Sequence, residues 1–434
     1  TNMSKRKLGL GKSKVKKQKV EETVEKNENE SGKDEQLLTV ELTDEVNPDD
    51  PLSQLFGLWK TWKESDRSNE LILNGIINEC DRILRNCIEN GGNEKISIND
   101  NFYNIYGQAL SDISKFKPEN EVSDWISNAL ERIDEGMDKF GNNNIRLLFA
   151  KCNIIINKIA VEFIGQMNVD SKKDEFPHLK KQFKEFTSTW NKAIKECEKN
   201  NDYSILKEDW VLEILDIFDD LLDIIDKFGT QMNEVVDSDD EDDEDDDESN
   251  EKAPVKELID ATDFEISEDH PLYEIQNDDS YNFFWRDNMI KYKELIGDDA
   301  DIKLIRNVNE KLGQSYLMEA EGPIAFFTSY QYERDEDDDN EEDDDEEMKA
   351  SVEEARKEAI KLVEEALKHL RKTHNEEEPK TWVNIAEALI TYANLLELDS
   401  EEQENTYLEA EKLLRRANNA THGHYEDILN SLIK

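Results

Sequence analysis

The sequence predicts an all-α protein, and three observations carry that expectation. Apolar residues recur at three- and four-residue spacing through most of the chain, the period of one helix face. Strand-type alternation is almost absent, and 16 Gly and 8 Pro in 434 residues are too few turn formers for a many-stranded fold. Three separated segments also repeat one pattern of small and branched apolar residues, as helices packed in pairs would require.

Taken in order, residues 1–48 are polar, charged and poor in apolar periodicity, and are expected to form a disordered tail. The first helix is predicted to begin at Asn47-Pro48-Asp49-Asp50-Pro51, where Asn or Asp can cap the free N–H groups and proline suits the first turn. Leu52, Leu55, Phe56 and Trp59 then fall at helical spacing, as do Ile72, Ile76, Ile83 and Leu84. Between Val211 and Phe228 the pattern is clearest. Leu212, Leu215, Phe218, Leu222 and Ile225 make one stripe, while Glu213, Asp216, Asp220, Asp223 and Asp226 stay off it. The expected organisation is a tail over 1–48, an N-terminal helical domain over 49–232, an acidic linker over 233–262 and a C-terminal helical domain over 263–434. Inside the last domain a long flexible acidic insertion is expected at about 322–349.

The repeated pattern is a small residue, a branched apolar residue four later and a small residue three after that. It reads Ala129, Ile133, Gly136; Ala359, Val363, Ala366; and Ala410, Leu414, Ala417. Small residues at these places let a neighbouring helix approach closely, as in the second helix of a tetratricopeptide-like (TPR-like) hairpin. Matching first helices are Tyr106-Gly107 with Leu110, Leu312-Gly313 with Tyr316 and, more loosely, Ala388-Leu389 with Tyr392. The connecting lengths vary, so an irregular α-solenoid of helical hairpins is predicted, TPR-like or HEAT-like, with long disordered acidic insertions. A solenoid accommodates such insertions because each hairpin contacts only its neighbours.

Charge sets limits on function. Lys+Arg is 54 and Asp+Glu is 105, a formal charge of 54 − 105 = −51. Asp237–Glu248 holds eleven acids and one Ser, and Asp335–Glu347 holds twelve acids and one Asn. Without those 23 acids the remainder is still −28. A body this acidic repels phosphate backbones, which argues against direct nucleic-acid binding by the folded part. No run of about 18 uncharged apolar residues is present, so no membrane span is expected, and the basic N-terminal stretch lacks the apolar core of a secretory signal. Four cysteines without paired spacing point to a reducing compartment.

The first twenty residues run against the rest: Lys5, Arg6, Lys7, Lys12, Lys14, Lys16, Lys17 and Lys19 are there with no acid. Two basic clusters in an extended arm match what the acidic grooves of a nuclear import receptor recognise, so they are the predicted nuclear localisation signal and the chain is expected in the nucleus. Gly11-Lys12-Ser13 resembles the end of a phosphate-binding loop, but Arg6 stands where that loop needs glycine. His374 and Glu376 with His422 or His424 could be forced into a two-His, one-carboxylate metal site, yet His374 is predicted to close a helix among solvated carboxylates. Cys80 and Cys87 share a helix face with Ile76, Ile83 and Leu84, and Cys152 lies in an apolar segment, so packing roles are expected. Cys197 has no partner motif. No catalytic arrangement, cofactor loop or metal set stands out, and no enzyme activity or cofactor is predicted. Ser238, followed by Asp239-Asp240-Glu241, suits an acidophilic kinase.

Several motifs in one order resemble a known family. They are Leu8-Gly9-Leu10-Gly11-Lys12, Leu55-Phe56-Gly57-Leu58-Trp59 to Leu73-Asn74-Gly75-Ile76-Ile77, and Glu79-Cys80-Asp81-Arg82. Further along come His270-Pro271-Leu272-Tyr273, Thr381-Trp382-Val383 to Ala386-Glu387-Ala388, and Ala417-Asn418 to Thr421-His422-Gly423. Together they resemble the fungal enhancer-of-translation-termination family, which includes the fungal negative regulator of a prolyl-hydroxylase-like dioxygenase. The resemblance implies a nuclear, all-α, repeat-containing protein without catalysis of its own. It also implies roles in translation termination and oxygen-linked gene regulation, with a prolyl-hydroxylase-like 2-oxoglutarate dioxygenase and translation termination factors as partners. A different reading of the same composition is an acidic TPR-type histone chaperone, whose run at 335–347 would neutralise basic histone surfaces.

Overall fold

The structure is a computed structural model that describes residues 47, 49–89, 97–229, 265–336 and 345–433. Among the described residues there are fourteen α-helices and no strand. The fold is all-α and built from helical hairpins, as the periodicity requires. The basic arm at 5–19, Ser238 and the acidic linker at 233–262 lie outside the described residues.

The first helices are α1 (Pro51–Glu64), α2 (Glu70–Glu89), α3 (Asp100–Ile113), α4 (Glu119–Phe140), α5 (Ile145–Lys158) and α6 (Leu179–Asn200). Their ends follow from local chemistry. The Asp50 carboxylate accepts from Leu52 N–H with Pro51 at the first position, Asn99 accepts from Phe102 N–H, and Asn144 accepts from Leu147 N–H. Gly141, at φ 101°, stops α4, a conformation that costs a side-chain-bearing residue more than glycine. Large side chains fill the spaces between helices. Trp62 is buried and its indole N–H donates to Asp112 at 2.9 Å, while Phe149 and Trp190 meet edge to face at 5.1 Å.

Glycine sets the α3–α4 spacing. A methyl group at Gly107 would sit 2.6 Å from Ile133 Cδ1, and one at Gly136 would sit 2.7 Å from Tyr103 Cβ. Both glycines belong to the repeated pattern, and the close approach is the reason for it. Polar bonds pin α5 beside this pair: Asn157 Nδ2 donates to the Ser111 carbonyl at 2.9 Å and to its hydroxyl at 2.7 Å.

The later helices are α7 (Asp209–Asp226), the single turn α8 (Tyr273–Gln276), α9 (Ser280–Ile296), α10 (Ile302–Glu336), α11 (Asp345–Leu370), α12 (Pro379–Leu395), α13 (Glu401–Ala420) and α14 (Glu426–Ile433). The pairs α10–α11 and α12–α13 are antiparallel hairpins around one core that includes Ala359, Val363, Trp382, Leu389, Ala410, Leu414 and Ala417.

Three expectations need correction. The compact units are not divided at 232/263. One comprises residues up to 200 plus 227–274, the other 201–226 plus 275–434. Helix α7 goes with the C-terminal helices because its apolar stripe is covered by α9. Trp285 N–H donates to the Leu215 carbonyl at 3.0 Å, Phe218 meets Phe284 edge to face at 5.8 Å, and Lys311 reaches Asp216 at 3.1 Å. Conversely, 265–274 packs with the N-terminal helices.

The acidic insertion is also shorter than 322–349. Helix α10 continues through Pro323 to Glu336, and α11 resumes at Asp345. Phe327 is buried and Ile324 and Tyr330 partly so, in the same core as Val352 and Ala359; those contacts outweigh the hydrogen bond lost at proline.

The register of the second hairpin shifts as well. Gly107 faces Ala129 and Ile133, whereas Gly313 faces Ala366 and Leu370. The counterpart of Ala129-Ile133-Gly136 is therefore Ala366-Leu370-Thr373, seven residues beyond the triple selected by spacing. Seven residues are two helical turns, which return a side chain to the same face.

Candidate partner-binding surface

Within the C-terminal unit, cations, aromatic rings and histidines form two layered clusters. In the first, the Arg286 guanidinium of α9 lies 4.1 Å from the centre of the Tyr316 ring. It donates to the Ser315 carbonyl at 3.1 Å and pairs with Glu319. Tyr316 stacks on His369, ring centres 5.7 Å apart and nearly parallel. Asn309 Nδ2 donates to the Ile305 carbonyl, which leaves its oxygen to accept from His369 Nδ1–H at 3.1 Å. Lys293 Nζ lies 3.3 Å from the same ring nitrogen. Burial, then Lys293, Lys368, Lys372 and Arg286, lower the His369 pKa to about 4. Burial and Lys372 lower Lys293 to about 8. The cluster holds one neutral imidazole among cations.

The second cluster gathers residues the sequence singled out. His374 Nε2 is 3.1 Å from Glu376, and the imidazole stacks on Trp382 at 5.9 Å. Arg416 lies over that indole at 4.4 Å and pairs with Glu376, while Trp382 N–H donates to the Asn375 carbonyl at 2.9 Å. His374 and Glu376 thus serve a surface stack at a helix junction. His424 meets Tyr425 edge to face instead, and His422 sits at φ 56° in the turn after α13. Among the described residues no group of three or more His, Cys, Asp or Glu could hold a metal ion.

In the N-terminal unit, residues 265–274 form a strap. His270 is fully buried; its Nε2–H donates to the Asn168 carbonyl at 2.9 Å and its Nδ1 accepts from Leu272 N–H. Burial pushes its pKa down. Lys173 N–H donates to the Asp269 carbonyl at 3.0 Å, and Glu274 pairs with Lys173 and Lys180, which hold its carboxyl at about 2.

The four cysteines are free, three of them buried, and burial pushes the Cys80 and Cys152 thiols up. A shallow depression of about 500 Å³ on α13 is lined by Glu401, Glu402, Asn405, Thr406 and Glu409. Carboxylates and short polar groups there offer hydrogen bonds. Among the described residues no helix is long and apolar enough to cross a membrane. His369, Lys293 and Arg286 were not singled out from the sequence. Single basic residues on a helix carry no signal until the helices that converge on them are known.

Residues 3–433 match the family model described as nuclear pore complex subunit Nro1. The chain belongs to the Nro1 family. Two curated relatives in this family are called enhancer of translation termination 1. That of Scheffersomyces stipitis is 39% identical, over 99% of this chain and all of its own. That of Meyerozyma guilliermondii is 41% identical, over 99% of this chain and 98% of its own. A solved structure of the S. pombe nuclear import adaptor Nro1 covers 90% of this chain and 99% of its own, at 16% identity and a TM-score of 0.48. Nro1 family membership agrees with the resemblance carried by the sequence motifs.

Proposed function

We propose that this chain is a non-enzymatic nuclear adaptor. Its helical hairpins hold a protein partner, and Lys5, Arg6, Lys7, Lys12, Lys14, Lys16, Lys17 and Lys19 engage a nuclear import receptor. It acts in translation termination, and in hypoxic gene expression together with a prolyl-hydroxylase-like 2-oxoglutarate dioxygenase; termination factors are further partners. The observation that carries this reading is the family match over residues 3–433, under a description that names the nuclear pore, with relatives named for translation termination. A basic arm on a chain of net charge −51 supports the import step. The second cluster, with Arg416 and Glu376 exposed around Trp382, supports a scaffold role, since rings and cations at helix junctions give recognition surfaces.

Affinity capture of the tagged full chain from its own cells, washed first at low and then at high salt, tests the reading. A dioxygenase retained at high salt supports the adaptor, because contacts with a large apolar share are only weakly screened. Core histones held at low salt and lost at high salt, with no dioxygenase, would overturn it in favour of an acidic histone chaperone. Separately, changing Lys16, Lys17 and Lys19 to Ala together should leave the far-ultraviolet circular dichroism unchanged and make the protein cytoplasmic. Continued nuclear concentration would refute the arm as the signal.

A further inference from the structure

The solvent face of α6 runs against the net charge of the chain. Lys181, Lys184, Lys192, Lys195 and Lys199 are all exposed and follow one another at intervals of three, eight, three and four residues; exposed Ser188 lies in the eight-residue gap. They form one stripe along a helix whose other face is buried through Phe183, Phe186, Trp190 and Ile194. Eighteen residues of helix make that stripe about 27 Å long. Lys192 Nζ donates to the Asn142 carbonyl at 3.0 Å, and the α6 acids lie to the sides of the stripe. Glu185 and Glu196 are half-buried beside it, and of the two only Glu196 is paired with a stripe lysine, Lys199 at 3.8 Å. Glu198 is exposed near its end. Five ammonium groups aligned on a chain of net charge −51 call for an anionic occupant.

The strap says where that occupant comes from. Phe228 and His270 rings lie 5.2 Å apart, so the chain leaves and re-enters the N-terminal unit at nearby points. The re-entry point is fastened to the start of α6. Asp269 pairs with Lys172 at 3.6 Å, and Glu274 joins Lys173 and Lys180, the residue before the stripe. Between these anchors runs the segment with eleven acids in Asp237–Glu248. Eight chain steps from Gly229 to Asp237 reach about 26 Å, and seventeen from Glu248 to Glu265 about 56 Å, so the two tethers together exceed the length of the stripe.

We propose that the lysine stripe of α6 is an intramolecular docking site for the acidic segment Asp237–Glu248. Each exposed lysine–carboxylate contact is weak and screened by salt. The tether compensates by holding the acids at high effective concentration, so several weak contacts act together. The same geometry withholds the stripe from other polyanions.

Zero-length carbodiimide cross-linking of the intact chain, read by peptide mass spectrometry, tests this. At low salt, links from Asp237–Glu248 should concentrate on Lys181, Lys184, Lys192, Lys195 and Lys199 within one molecule and fade at high salt. Lys303, Lys357 and Lys412 of the C-terminal unit serve as comparators. Links that fall mainly on the basic arm at 5–19, spread evenly over exposed lysines, or join separate molecules would overturn the proposal. A second measurement uses a fluorescent single-stranded oligonucleotide as probe. Replacing the eleven acids with Asn and Gln should tighten its binding by about tenfold, and changing the five stripe lysines to Gln as well should remove the gain. No gain on neutralising the acids, or a gain that survives loss of the stripe, would equally refute it. The stripe lysines are exposed, so their substitution leaves the packing of α6 in place.

Discussion

Two glycine-to-alanine substitutions in helices of the N-terminal unit should change stability in opposite directions. At Gly136 on α4, an added Cβ would lie 2.7 Å from Tyr103 Cβ, 2.9 Å from its Cγ and 3.1 Å from Leu147 Cδ1. Tyr103 Cβ is fixed to the backbone of α3 and cannot rotate away. Restoring even the short end of ordinary contact, 3.4 Å, needs α3 and α4 to separate by 3.4 − 2.7 = 0.7 Å. Tyr103 and Leu147 are buried, so this movement disturbs a filled core. Overpacking of this kind costs about 1–3 kcal/mol, against which alanine gains roughly 1 kcal/mol of helix propensity. Gly136→Ala is therefore expected to destabilise by up to about 2 kcal/mol. At Gly75 on α2, which is exposed, an added Cβ meets nothing within 4 Å, and only the propensity gain applies. Gly75→Ala is expected to stabilise by about 0.5–1 kcal/mol. Urea unfolding followed by circular dichroism measures both against the unmodified chain. A Gly136→Ala protein stabilised as much as Gly75→Ala would show that α3 and α4 are not in contact through this glycine, and the account of the repeat would fall with it.

Other expectations follow from the same structure. Lowered from 6.5 to about 4 in the folded chain, His369 takes up its proton more readily when unfolded. Its contribution is complete above pH 6.5 and is lost as pH falls towards 4; the 2.5-unit separation is worth at most about 3 kcal/mol, nearer 1–2 after solvent screening. His369→Gln should flatten that part of the stability–pH curve, and equal slopes for the two proteins would refute the assignment. His270→Ala leaves the Asn168 carbonyl without its donor and should loosen the strap by about 2 kcal/mol. Faster amide exchange at Lys173, whose N–H is held by Asp269, is the readout; unchanged protection there would count against the clasp. Glu274→Gln removes the partner of Lys173 and Lys180 and should speed proteolysis within 265–274 above pH 4.5, with the difference vanishing near pH 2 as the native carboxylate is protonated.

Helix positions were legible because burial imposes a period on the sequence: Leu212, Leu215, Phe218, Leu222 and Ile225 announce α7 without any knowledge of what covers them. The first cap was legible for the same local reason, since Asp50 and Pro51 act within one turn. Side-chain identity also marked Gly107, Gly136 and Gly313 as close-approach positions, and the structure places a neighbouring helix against each.

The covering partner is another matter. An amphipathic stripe says that something apolar lies against it, and α9 can do so as well as α6; the choice depends on shapes brought together from distant parts of the chain. For that reason the boundary of the units was misplaced at α7 and at the strap. Likewise, the acidity at 335–347 hid the fact that Phe327 and Val352 extend the α10–α11 hairpin on both sides. The candidate surfaces show the same division. His374 and Trp382 stand eight residues apart and could be noticed together, whereas Arg286, Tyr316 and His369 meet only because three helices converge. The sequence by itself determined the period, the caps and the sites of close approach, because these arise within a few turns of one helix. Tertiary structure alone decided which helices share a core and which charges face one another, because those depend on distances between residues that are remote along the chain.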